Sequence, residues 1–92
     1  MIDLRPSKRP KVSEVSYWHT VFYKDMEYDR RGLGGGSVIV QNGEPYPDYY
    51  KVIFYPAHGK RISKLFYGES AYFDVVRYVN DLGFPEIHSA HI

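Results

Sequence analysis

The amino-acid sequence predicts an α+β protein, in which an antiparallel sheet of three to five strands carries one amphipathic helix packed on one face. Two-residue alternation of side-chain character recurs through the first two thirds of the chain, which is typical of strands. After Gly68 the apolar spacing changes to that of a helix. Strands that come first and are followed by a helix are the pattern of an α+β domain.

The stretch MIDLRPSKRPKVS, residues 1–13, predicts an extended and mobile basic arm. It contains two prolines and no apolar periodicity. Its basic side chains are Arg5, Lys8, Arg9 and Lys11. A single α+β domain is then expected over residues 14–92.

The segment after the arm alternates over ten residues and predicts the first strand. One face is expected to carry Val15, Tyr17, His19, Val21 and Tyr23, and the other Ser16, Trp18, Thr20, Phe22 and Lys24. A charged and glycine-rich connection follows at 27–36, and SVIVQ at 37–41 predicts a second strand. Residues 42–48, which begin with Asn-Gly and contain two prolines, have the composition of a turn.

Two further strands and a helix complete the expected fold. YYKVIFY (49–55) and KRISKLFY (60–67) predict an antiparallel pair joined by a tight turn, with Val52 and Phe54 facing opposite to Ile53 and Tyr55. The helix is expected over about 70–82, with an apolar face of Tyr72, Val75, Val76, Val79 and Leu82.

The ends of this helix are also marked in the sequence. Ser70 is a suitable N-cap, Gly83 suits the left-handed position after the helix, and Pro85 prevents its continuation. The tail EIHSAHI is expected to add a short strand or to lie against the sheet.

Composition indicates an intracellular binding protein. The chain has no cysteine, which fits a reducing compartment and excludes thiolate metal sites and cysteine catalysis. It has no apolar run long enough to cross a membrane, and its first residues do not resemble a signal peptide. Aromatic residues make up 17% of the chain, and ten of them are tyrosines, which suit interfaces.

The charges alternate in blocks along the chain, although the net charge is only +1. Residues 1–13 and 30–68 are basic, whereas 14–29 and 69–92 are acidic. Such a pattern suits a partner whose surface carries both positive and negative patches, rather than nucleic acid alone.

Motifs for catalysis and for cofactors are missing. The four histidines form no HExxH pattern, and the acidic residue after Pro47 lacks the E-x-K or D-x-K partner of a metal-dependent nuclease. The serines lie in no nucleophile-elbow sequence. We therefore expect no enzyme activity, no cofactor, no metal and no small-molecule substrate.

The stretch DRRGLGGGS, residues 29–37, leaves two interpretations open. It is not a dinucleotide or phosphate loop, because Ser37 replaces the last required glycine and a strand follows where a helix is needed. It is either a plain connection between strands or a mobile finger whose Arg30 and Arg31 grip phosphates or carboxylates of a partner.

Aromatic and basic residues interleave in segment 46–67, as they do in proteins that bind single-stranded nucleic acid. The competing interpretation is that half of these aromatics form the core and the lysines only solvate the sheet. The candidate partner-binding residues are Arg5, Lys8, Arg9, Arg30, Arg31, Tyr49, Tyr50, Lys60, Arg61 and Lys64.

As a whole, this cysteine-free, tyrosine-rich α+β chain with alternating charge blocks resembles the small phage-encoded anti-CRISPR proteins, in particular those directed against type I-F surveillance complexes. The resemblance implies a non-enzymatic inhibitor in the cytoplasm of a host bacterial cell, monomeric when free. It would bind a Cas protein complex and its crRNA, and would block target DNA hybridisation or nuclease recruitment. The alternative is a small single-stranded nucleic-acid-binding module or a phage regulatory protein.

Overall fold

The computed structural model describes residues 11–26, 35–84 and Ile87. A 3₁₀ helix at Val12–Glu14 is followed by four strands and one helix: β1 (Tyr17–Met26), β2 (Gly36–Glu44), β3 (Tyr49–Pro56), β4 (Ile62–Tyr67) and α1 (Ala71–Asp81). Each strand pairs antiparallel with the next one in the sequence, so the sheet has the order β1-β2-β3-β4. The predicted α+β class, with four strands and one packed helix, is confirmed.

The apolar stripe of α1 packs on one face of the sheet, against β3 and β4. Ala71, Val75 and Val79 are buried along this stripe. Tyr72 contacts Tyr50 of β3 and Tyr78 contacts Phe66 of β4, with ring centroids 5.7 and 5.6 Å apart. The main core consists of Val38, Val40, Val52, Phe54, Val75, Val79, Phe84 and Ile87.

The C-terminus of α1 is closed by the glycine that the sequence indicated. Gly83 has φ of 104°, a value that only glycine adopts readily. The Phe84 N–H donates to the carbonyl of Val79, and the Gly83 N–H donates to that of Asn80, as in a Schellman motif. Ser70 occupies the N-cap position, but its hydroxyl donates to the Asp74 carboxylate at 3.1 Å and not to the backbone.

Strand β2 is longer than predicted, which corrects the assignment of Asn42-Gly43 to a turn. Both residues continue the strand and lie opposite His19 and Trp18. The side-chain amide of Asn42 donates at 3.0 Å to the carbonyls of Pro47 and Tyr49, and it thereby closes the turn from within the strand. The turn itself is left to the residues between Glu44 and Tyr49.

A β-bulge between Thr20 and Phe22 corrects the expected faces of β1. Trp18 and Thr20 lie opposite Gly43 and Gln41, whereas Phe22 lies opposite Val40. Residues directly opposite each other share a face, so Trp18 and Phe22 point to opposite sides, although they are an even number of positions apart. The uninterrupted alternation expected for this strand is therefore wrong.

The two termini are described only in part. Residues 12 and 13 belong to the 3₁₀ helix, so the basic arm is not extended over its whole predicted length. The rest of that arm, residues 1–10, lies outside the described residues. Of the predicted tail, Ile87 is described, and it is buried in the main core.

The sheet thus has a helix face and an outer face. The outer face, which points away from α1, follows from the strand registers. It is formed by Trp18, Thr20, Tyr23, Asp25, Ser37, Ile39, Gln41, Gly43, Tyr49, Lys51, Ile53, Tyr55, Ser63, Leu65 and Tyr67.

Truncation of Val75 to alanine should destabilise the protein far more than truncation of Phe73. Val75 is fully buried, so Val75→Ala removes two methyl groups from the core and is expected to cost about 2–3 kcal/mol. Phe73, on the same helix, is 55% exposed, and Phe73→Ala should change the free energy of unfolding by less than about 0.5 kcal/mol. Urea denaturation measures both, and equal losses would contradict this packing of α1.

Candidate binding surface on the outer face of the sheet

One end of the outer face is organised by Trp18, whose ring lies over Gly43. A Cβ atom at position 43 would come within 3.1 Å of the Trp18 ring and of the Val15 side chain. Any larger residue would push these side chains away by a few tenths of an ångström or more, and the missing side chain lets the ring reach across β2 to β3. There it meets Tyr49 edge-on, with ring centroids 5.5 Å apart.

Tyr49, one of the candidate partner-binding residues, is buried by this arrangement. Its side chain is 1% exposed and lies between Trp18 and Tyr46, whose ring centroid is 6.4 Å away. Its hydroxyl has no hydrogen-bond partner among the residues that the structure describes. The role that the structure gives Tyr49 is packing, beneath the aromatic end of the outer face.

The 3₁₀ turn is attached to the same cluster. The Ser16 N–H donates to the carbonyl of Glu44 at 2.7 Å, and the Tyr46 hydroxyl donates to the Glu14 carboxylate at 3.4 Å. The described chain therefore begins, at Lys11, beside the aromatic end of the outer face. The predicted contact residues Arg5, Lys8 and Arg9 belong to the part of the chain before this point, outside the described residues.

Lys51 lies in the middle of the outer face and packs on Trp18. Its Nζ atom is 4.2 Å from the centroid of the indole ring, a cation–π contact. Burial lowers the pKa of Lys51, and the nearby positive charge of Arg61 lowers it further. Arg61 immediately precedes β4 and is exposed.

The remaining predicted contact residues are divided between different sides of the molecule. Lys64 points to the helix face, because it lies opposite Val52, and its Nζ atom is 5.2 Å from the Tyr78 ring. Tyr50 is half-buried against Tyr72, and this burial is the main reason that its pKa is raised. Lys60 is exposed in the connection before β4.

Arg30 and Arg31, with most of the glycine-rich stretch, lie outside the described residues. The two interpretations of this stretch, a plain connection or a mobile loop whose arginines bind a partner, therefore both stay predictions. At the described end of that connection, Asp25 accepts hydrogen bonds from Ser37 Oγ and, at 2.7 Å, from the Tyr23 hydroxyl. These two bonds, that of Ser37 first, lower the pKa of Asp25.

Sequence reasoning missed Trp18 and Lys51 as members of one surface. Local alternation places Trp18 on the same face as Phe22, because the bulge has no clear sequence signature. Gly43 is the one available signal, but Asn-Gly is so common in turns that the pair predicts a turn.

Among the described residues no three histidine or carboxylate side chains converge in a way that could hold a metal ion, and no helix there is both long and apolar enough to span a membrane. Comparisons of the chain with protein-family models, with curated proteins and with solved structures find no match. The fold and the surface define the class of protein: a four-stranded antiparallel meander with a helix on one face and an aromatic, cationic surface on the other.

A valine at position 43 should displace Trp18. Its side chain would occupy the space under the indole ring, so Gly43→Val is expected to shift the fluorescence emission of Trp18 to longer wavelength as the ring becomes more exposed. Trp18 is the single tryptophan of the chain, so the signal is unambiguous. Gln41→Val, on the same strand and face, is the matched control and should leave the emission unchanged. An equal shift in both variants would contradict the packing of Trp18 on Gly43.

Removal of the Ser37 hydroxyl should raise the pKa of Asp25. Because the folded state lowers this pKa, Asp25 contributes stability above the pKa of the unfolded chain, and that contribution is lost as the pH falls through the folded value. Ser37→Ala should move the titration midpoint of the Asp25 carboxyl carbon, followed by NMR, towards its ordinary value. Ser63→Ala, elsewhere on the outer face, should not move it. An unchanged midpoint in Ser37→Ala would show that this hydrogen bond does not form in solution.

Proposed function

We propose that this protein is a non-enzymatic inhibitor that binds a CRISPR–Cas surveillance ribonucleoprotein in the bacterial cytoplasm and blocks target DNA hybridisation or nuclease recruitment. The observation that carries the proposal is the outer face, where cationic side chains lie beside aromatic and apolar ones. The choice of this partner rests on the resemblance of the whole chain to type I-F anti-CRISPR proteins.

The composition of the outer face supports a role in binding. Ile53 and Leu65 are half-buried at its centre, while Tyr55 and Tyr67 are each 38% exposed. Half-exposed apolar and aromatic side chains supply the contact area of an interface core, and tyrosine is enriched there. Lys51 and Arg61 add positive charge, which suits a partner that displays phosphate groups.

A nucleic-acid-binding module that needs no Cas complex is the second candidate. The half-exposed tyrosines on the same face as Lys51 favour it, since sites for single-stranded nucleic acid combine aromatic rings, on which bases stack, with cationic side chains that follow the backbone. Such a module would bind oligonucleotides by itself with an affinity that falls steeply with salt, and it would have no stoichiometric protein partner.

A charge placed in the middle of the outer face should prevent capture of the ribonucleoprotein. Purified type I-F surveillance complex, loaded with its crRNA, is mixed with the tagged protein, and we expect stoichiometric co-elution and loss of target DNA binding. Leu65→Asp places a carboxylate directly opposite Lys51 and should weaken capture at least tenfold, because it neutralises the Lys51 charge and repels the phosphate groups of the partner. Phe73→Asp, on the exposed side of α1, is the matched control and should bind like the unsubstituted protein.

Three results would count against the proposal. If no complex is captured at micromolar concentrations, the inhibitor function is wrong. If Leu65→Asp is folded by circular dichroism and binds unchanged, the interface is not the outer face. Binding of oligonucleotides without capture of the complex would favour the second candidate.

A further inference from the structure

Folding places an uncompensated positive charge at the centre of the outer face. Lys51 is half-buried, and its ammonium group is held 4.2 Å from the centre of the Trp18 ring. The Arg61 charge is near enough to lower the pKa of Lys51 together with burial. Within the described part of the chain, neither cation forms an ion pair with a carboxylate.

An anion that bound between Lys51 and Arg61 would relieve this repulsion. The anion would form a charge-assisted contact with the Lys51 ammonium group and so replace the water that burial removes from it. Trp18 already holds this ammonium group in place before the anion binds. Burial first, and the Arg61 charge second, lower the pKa of Lys51, and a bound anion would counteract both effects.

Exposed aromatic rings flank the two cations on the same face. Tyr55 follows Lys51 on β3 by four residues, and Tyr67 lies on the neighbouring strand, opposite Tyr49. Both rings are 38% exposed. A carboxylate-bearing peptide would use the cations, but only some of its residues carry aromatic side chains, whereas every nucleotide of a nucleic acid strand offers both a phosphate and a base.

We infer that Lys51 and Arg61 bind phosphate groups of a single-stranded RNA while Tyr55 and Tyr67 stack on its bases. The inference rests on the proposed function, since the ribonucleoprotein supplies the RNA through its exposed guide strand. An unpaired strand fits better than a duplex, because its unstacked bases can reach the rings of an open sheet face.

The test uses the full chain and a labelled single-stranded RNA of about 12 nucleotides at low salt. Fluorescence anisotropy of the RNA gives the affinity, and the emission of Trp18 reports whether the strand lies on the outer face. Lys51→Ser and Arg61→Ser should each weaken binding about tenfold. Each should also reduce the slope of log affinity against log salt by about 0.7, which is the value for one lost phosphate contact on a single strand.

The matched controls are chosen from the same fold. Arg77→Ser removes an exposed cation from α1, on the opposite side of the sheet, and should leave both the affinity and the slope unchanged. Phe73→Ala removes an exposed ring from α1 and should bind the RNA normally, whereas Tyr55→Ala should lose about tenfold. Circular dichroism and urea midpoints establish that each variant is folded.

Each alternative outcome has a distinct consequence. If the surveillance complex is captured but the isolated RNA does not bind, or if Lys51→Ser and Arg61→Ser bind as well as Arg77→Ser, this inference is wrong and the proposed function stands. Equal binding of DNA of the same sequence would overturn the assignment to RNA, and equal competition by a polyglutamate peptide would overturn the assignment to nucleic acid. If neither the complex nor the RNA is bound, the proposed function is wrong as well.

Discussion

The packing of Trp18 on Gly43 is the interaction on which the outer face depends. Gly43 leaves room for the indole ring to cross β2, so the ring buries Tyr49 and carries the Lys51 ammonium group. Val15 and the 3₁₀ turn close over the same end. The bulge after Thr20 makes this possible, because it lets the first half of β1 turn Trp18 outward while the second half keeps Phe22 against the core. One irregular position therefore allows a single strand to serve both faces.

The helix face and the outer face obtain their stability in different ways. On the helix face, valine and phenylalanine side chains of β2 and β3 are buried in one core with those of α1, Phe84 and Ile87, so that burial of apolar area dominates. The outer face instead has a small aromatic cluster at one end and half-exposed aliphatic side chains in its middle. Binding of a partner to such a partly covered surface requires little free energy for rearrangement, because few intramolecular contacts have to be broken.

Much of the fold could be predicted from the sequence because it is specified locally. The apolar spacing of α1, Gly83 at its end and the alternation of β3 each follow from a few neighbouring residues, and the structure confirms them. Two of the differences between expectation and structure have a tertiary cause. Asn42-Gly43 is turn-like by composition, but it continues β2 because Trp18 fills the space above the glycine and the Asn42 amide binds the following turn. The face of Trp18 depends on a bulge, which the partner strand determines and which local alternation cannot reveal.

The candidate contact residues divide for a related reason. Aromatic and basic residues interleave along segment 46–67, but adjacent strand residues point to opposite sides of the sheet. Tyr50, Lys64 and Phe66 thereby belong to the helix face, where the Lys64 ammonium group lies near the rings of Phe66 and Tyr78. Lys51, Tyr55 and Tyr67 belong to the outer face. The segment that resembles one binding motif in the sequence is thus half core and half surface, and only the registers of the strands separate the two. Of its lysines, Lys51 is the one whose burial and nearby cation make an anionic partner favourable, since the other two are exposed to water.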